Sequence, residues 1–112
     1  MPIQTVSIVG VGLIGGSFGL ALKQRGFSGN IIGVSSDATI EKALARGVID
    51  DSASLKDAAA ASDLVFLSAP VPQIIEQIPR VAAVAKDGAI ITDAGSAKAA
   101  IADTAQQLSL IH

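Results

Sequence analysis

The sequence predicts an open, doubly wound α/β fold, with helices on both faces of a parallel sheet. Three observations carry this expectation. Short β-branched runs alternate with helical patterns along the chain. A glycine-rich turn joins the first strand to the first helix. The 112 residues, half of them apolar, suffice for one core and one domain, residues 1–112.

The elements follow in order. Residues 3–9 (IQTVSIV) are mostly β-branched and apolar, the pattern of a strand covered on both faces. Residues 13–24 repeat Leu13, Phe18, Leu20, Ala21 and Leu22 along one side of a helix. Lys23 and Arg25 sit near its end, where cations oppose the dipole, and Gly26 supplies a C-terminal cap. Residues 30–35 read as a second strand. Asp37 is a plausible N-cap for a helix through Arg46, ended by Gly47. A short strand is expected near residues 49–52.

Ser54-Leu55-Lys56-Asp57 resembles a capping box and opens a short Ala-rich helix. Residues 63–69 form the clearest buried strand, because Leu64, Val65, Phe66 and Leu67 are contiguous and apolar. Pro70 and Pro72 stop it and launch a helix over residues 73–85. Residues 88–93 are a further strand, and Ser96 or Ala97 starts a last helix to about Leu108. Strands and helices of this length, taken in turn, imply right-handed crossovers between parallel strands.

Charge and composition exclude several functions. The net charge is −2, and the eight basic residues are scattered, which argues against a nucleic-acid surface. The absence of cysteine removes disulfides, thiol chemistry and cysteine-based metal sites, and no metal is expected. The apolar runs are broken by glycine before they reach the ~18 residues of a membrane span. With no basic leader before the first strand, a cytoplasmic location is expected.

Gly10-Val11-Gly12-Leu13-Ile14-Gly15 is a G-x-G-x-x-G between a strand and a helix. Gly10 permits the tight turn, Gly12 lets backbone approach a pyrophosphate, and Gly15 lets the helix lie close on the sheet. The free amides at the helix start then face the phosphates. The context makes this a dinucleotide-binding Rossmann fingerprint rather than an ordinary glycine turn.

The end of the second strand should meet the adenosine ribose. An acid about 20 residues beyond the last glycine would favour NAD. Counting on from Gly15 reaches Ser35, followed by Ser36, and neither is a carboxylate. A serine removes the charge that repels a 2′-phosphate and offers a donor, so NADP is favoured and NAD remains the alternative. Asp37 lies close by and would oppose a phosphate, and no Arg stands at Ser36.

Ligands of open α/β sheets sit outside the carboxyl ends of the strands. Three segments should meet there: the Gly10 turn, Ser68-Ala69-Pro70, and Thr92-Asp93-Ala94-Gly95-Ser96-Ala97-Lys98. The second presents backbone to the nicotinamide half of the cofactor. The third brings a hydroxyl and an amine to a helix start. Spacing alone equally allows Ser96 to be an N-cap and Lys98 a solvated surface residue.

Several motifs resemble the N-terminal cofactor domain of prephenate and arogenate dehydrogenases. They are Val11-Gly12-Leu13-Ile14-Gly15-Gly16-Ser17, Glu41-Lys42-Ala43 with Gly47-Val48-Ile49-Asp50, Asp63-Leu64-Val65, Ala69-Pro70-Val71, and the run from Thr92 to Lys98. The resemblance implies oxidative decarboxylation of prephenate or arogenate in tyrosine biosynthesis. Hydride passes to a nicotinamide, and loss of carbon dioxide aromatises the ring. It further implies that Ser96 hydrogen-bonds in the catalytic network, and that Gly10, Gly12, Leu13 and Ile14 form the pyrophosphate turn. In the family a histidine of a His-Pro motif acts on the substrate hydroxyl, and a C-terminal helical domain builds the substrate pocket and the dimer interface. Neither lies in this chain, whose only histidine, His112, falls short of that position. The chain is therefore expected to bind cofactor without turnover. A stand-alone module that binds or senses a dinucleotide is the alternative.

Overall fold

The computed structural model describes residues 3–93. They form β1 (Thr5–Val9), α1 (Leu13–Gln24), β2 (Asn30–Val34), α2 (Asp37–Ala45), β3 (Asp51–Ser52), α3 (Leu55–Ala61), β4 (Leu64–Leu67), α4 (Val71–Val84) and β5 (Ile90–Asp93). The strands make one sheet in the order β3-β2-β1-β4-β5. Every pairing is parallel, with Val6 opposite Ile31 on one side and Leu64 on the other. The order reverses between β1 and β4, so the switch point lies at their carboxyl ends.

Because strand side chains alternate, β1, β2 and β4 feed two cores, one on each face of the sheet. Val6, Ile8, Ile31 and Phe66 pack with Phe18 and Leu22 of α1 and with Ile40 and Ala43 of α2. Val9, Val65, Leu67 and Ile91 pack with Leu55 and Ala59 of α3 and with Ile74, Ile78 and Val81 of α4. The rings of Phe18 and Phe66 stack at 4.0 Å between centroids. The doubly wound expectation holds: α1 and α2 cover one face, α3 and α4 the other.

Helix α1 lies unusually close to the sheet. A Cβ at Gly19 would stand 2.9 Å from both Cγ1 and the carbonyl oxygen of Val48. Together with Gly15, one turn earlier, this makes a smooth strip on the buried side of the helix. Gly16 is a third glycine in the same helix.

Some boundaries differ from the sequence reading, each for a physical reason. The N-cap of α2 is Ser36, whose Oγ accepts from the Thr39 amide, and Asp37 is the first helical residue. Helix α4 starts at Val71, not at residue 73. Pro72 sits in its first turn, where a missing N–H costs nothing. Pro79 lies inside α4 on its exposed side, where it removes the helical bond to the Ile75 carbonyl. β3 is only two residues long, β1 starts at Thr5 and β5 at Ile90, and Ser35 lies just past β2. The last expected helix, over residues 96–108, lies outside the described residues.

Two buried polar devices brace the sheet. Ser7 of β1 and Ser62 after α3 are fully buried; their hydroxyls meet each other, and both reach the Ala58 carbonyl, at 3.0 and 2.7 Å. At the opposite end from the switch point, Asp63 Oδ2 accepts from the amides of Gln4 and Thr5 at 2.9 and 3.0 Å. Its Oδ1 meets Lys86 Nζ at 3.1 Å. The amide bonds from Gln4 and Thr5, with Lys86 beside them, hold the Asp63 carboxyl down at about 2.

Candidate dinucleotide site

The glycine turn leaves β1 through Gly10, whose φ of 90° is costly for any other residue type. Its amide donates to the Val34 carbonyl at 2.7 Å, tying the turn to the end of β2. A Cβ on Gly10 would stand 3.2 Å from the Ala69 nitrogen, so the turn also rests on the segment after β4. Gly15 is locked beneath it. A Cβ there would collide with the Gly10 carbonyl, with Ser68 Oγ at 2.6 Å and with Ile8 Cγ2 at 2.9 Å.

Gly12 behaves in the opposite way. It is exposed, it is the N-cap of α1, and a Cβ on it would meet nothing within 4 Å. No side chain caps the helix, and its first turn contains no acid. The opening amides of α1 therefore point outward over open space, with the positive end of the helix dipole behind them. Leu13 and Ile14, which follow, are both exposed, Leu13 at 88%. The sequence motif thus splits into two jobs: Gly10 and Gly15 shape the turn, and Gly12 keeps its outer surface clear. Val11 points the other way and is buried at 5%. It contributes backbone to the turn and side chain to the core.

Ser35 is exposed at the carboxyl end of β2. Ser36 is exposed too, but its hydroxyl is already engaged. It accepts from the Thr39 amide and donates to Thr39 Oγ1 at 2.9 Å. Of these two serines, only Ser35 has a hydroxyl without a partner among the described residues.

At the end of β4, the Ser68 amide donates to the Val9 carbonyl at 2.9 Å. Its hydroxyl lies 3.2 Å from the same oxygen and closer still to the Gly10 carbonyl. Ser68 is thus turned toward the glycine turn, which it supports from the β4 side. Ala69 is buried and Pro70 is exposed as the N-cap of α4. Gly95 and Ser96 lie outside the described residues.

A hollow of about 310 Å³ opens beside the turn, between α1 and α2. Val11, Gly12, Leu13 and Gly16 line one side, and Thr39, Lys42 and Arg46 the other. Reading along the chain missed this, because Lys42 and Arg46 lie some 30 residues past the motif. Their i, i+4 spacing on α2 was the available signal. Among the described residues no helix is long and apolar enough to cross a membrane, and no cluster of metal-binding side chains occurs.

The far side of α1 is anchored by Asp50. Burial pushes its carboxyl upward, but hydrogen bonds from Lys23 and the Ile31 amide, with the Lys23 charge, hold it below the usual range. Lys23 Nζ meets Asp50 Oδ1 at 2.6 Å, so the C-terminal end of the helix is held to the segment leading into β3.

Known proteins share this geometry. The prephenate dehydrogenase of Lactococcus lactis is 35% identical over 106 residues, which cover 94% of this chain and 30% of that protein. The structure of the A. aeolicus prephenate dehydrogenase, in complex with hydroxyphenyl propionate and NAD+, superposes with a TM-score of 0.80 at 36% identity. The match covers 86% of this chain and 35% of that one. The Synechocystis arogenate dehydrogenase gives 0.77 at 33% identity, over 94% of this chain and 37% of that one. The chain thus spans about a third of the length of the relatives it matches. The family model for the prephenate dehydrogenase nucleotide-binding domain matches residues 18–111, beginning just past the glycine turn. The two solved structures share the fold of this chain, and with the family model and the Lactococcus relative they show that the chain belongs to the prephenate dehydrogenase nucleotide-binding domain family.

Proposed function

We propose that this chain binds NADP, with NAD as the weaker alternative, as the cofactor domain of a cytoplasmic prephenate or arogenate dehydrogenase. The observation that carries the reading is the uncapped start of α1, with clear space over Gly12, at the point where strand order reverses. The pyrophosphate would lie against the amides of Gly12, Leu13 and Ile14. Val11 backbone, Gly10 and Gly15 hold that turn in shape. Ser35, which carries no charge, would meet the adenosine ribose, with Ser36 holding the start of α2 beside it. Ser68, Ala69, Pro70 and Gly95 would flank the nicotinamide end.

When bound, the cofactor supplies a nicotinamide ring that accepts hydride. The residues of this chain orient that ring and exclude water from one side of it. Ser96, three residues past the end of β5 in the sequence, would hydrogen-bond to the reacting hydroxyl of the substrate. The parent enzyme would supply the remaining catalytic groups and pair as a homodimer through its helical domain.

Calorimetric titration of the chain with NADP and with NAD tests the binding half of this reading. Binding of both, with NADP the tighter, is expected; a tenfold preference for NAD would refute the cofactor assignment. An assay with prephenate, arogenate and both cofactors tests the other half. No turnover is expected from this chain alone.

A further inference from the structure

We infer that Lys42 is the residue by which this domain recognises the 2′-phosphate of NADP. The inference rests on the dinucleotide reading above and names the group that reading lacks. The uncharged Ser35 makes a 2′-phosphate tolerable and offers it one neutral donor, but a neutral hydroxyl does not offset the phosphate charge. Ser36, next along the chain, has its hydroxyl proton on Thr39 Oγ1 and so has none left for a ligand. A doubly charged phosphate needs a cation close by.

Two cations are in place. Lys42 and Arg46 line the same hollow as Gly12 and Leu13, and Thr39 lies between Lys42 and the cap of α2. Neither cation has an ion-pair partner among the described residues, a state they share with Arg25 and Lys56, which do not line this hollow, while Lys23, Arg80 and Lys86 are paired. Lys42 is the nearer to the ribose end, six residues past Ser36 on the side of α2 that faces the hollow. Its flexible stem would let the ammonium reach toward the end of β2 without a backbone movement. Arg46 lies a turn further away and also lines a second hollow with Leu20, toward the middle of α1. The start of α1 adds its dipole to the same field. Asp37 is the one acid at that helix start and acts against the phosphate, so Lys42 must outweigh it.

The test is binding of NADP and NAD to the wild-type chain, to Lys42→Ala and to Lys42→Arg, by calorimetry at two salt concentrations. Loss of a charge-assisted contact should weaken NADP about 10- to 100-fold in Lys42→Ala and leave NAD unchanged. Lys42→Arg should retain the preference, and the salt dependence of NADP binding should fall in Lys42→Ala alone. Lys42 is exposed, and circular dichroism checks that both variants fold. Equal weakening of both cofactors, or unchanged NADP binding, would overturn the assignment to Lys42 while leaving the dinucleotide reading intact. Failure of the wild-type chain to bind either cofactor would overturn both.

Discussion

The hydroxyl of Ser68, at the end of β4, is hydrogen-bonded to the carbonyl of Gly10, in the turn after β1. Two adjacent strands are thereby joined at the place where a ligand would cross between them. Ser68→Ala removes the link without touching the outer surface of the turn. It should cost about 1 kcal/mol of stability, read from denaturant unfolding. Cofactor affinity should fall roughly three- to tenfold through loss of turn geometry. Affinity unchanged alongside lower stability would show that the turn keeps its shape unaided.

Gly12 and Gly15 should separate binding from folding. Gly12→Val places its side chain in open space, so melting should be unaltered while dinucleotide binding is abolished. Gly15→Val drives side-chain atoms into Gly10, Ser68 and Ile8. Overpacking of this kind costs about 1–3 kcal/mol or more, which is a melting shift of roughly 4–8 °C per kcal/mol in a domain of this size. A stable Gly12→Val that still binds in calorimetry would remove the glycine turn from the site.

The buried pair Ser7 and Ser62 offers a test of coupling. Their two protons serve three contacts, and the Ala58 carbonyl receives from both hydroxyls. Either single alanine variant leaves the other hydroxyl free to donate to that carbonyl, at a cost of about 1 kcal/mol or less. The double variant strands the carbonyl in the core and should cost about 1–3 kcal/mol beyond the sum of the singles. Additive losses would count against a shared acceptor.

Asp63 makes stability fall in acid. Its folded carboxyl titrates at about 2, below the ordinary value near 4, so its contribution is fully present above that ordinary value. As pH drops from about 4 toward 2, the unfolded chain takes up the proton first, and the contribution is lost. Melting temperature should decline more steeply over this window in the wild type than in Asp63→Asn. Parallel curves for the two proteins would exclude Asp63 as the source.

Much of this fold is visible in local patterns. The contiguous apolar run Leu64 to Leu67 reads as a covered strand and is one, and α1 has the bounds read for it. The apolar side of α1 is misassigned by the pattern: only Phe18 and Leu22 of it reach the core, Leu13, Leu20 and Ala21 are exposed, and the buried face is made by Gly15 and Gly19. The sequence reading places the cap of α2 one residue late, at Asp37, although Ser36 before it is an equally good cap residue. The choice depends on which oxygen the Thr39 amide meets. Paired prolines read as a stop signal, yet a proline in the first turn loses no bond, so α4 begins between them. The contacts that finish the site are the least visible. Ser68 to Gly10 spans 58 residues, Ser7 to Ser62 spans 55, and Lys42 comes beside Gly12 only through the crossover to α2. No short-range rule encodes such meetings.

The three glycines of α1 place a demand on energy as well as on space. Set against alanine, Gly15, Gly16 and Gly19 weaken the helix by about 3 kcal/mol in isolation. A twelve-residue helix so weakened does not persist alone in water; it needs the sheet on which it rests. The segment that presents amides to phosphate therefore depends for its stability on β1 and β4 beneath it. A phosphate arriving at its first turn would hold that end shut, so that binding completes the folding of the very element that receives it.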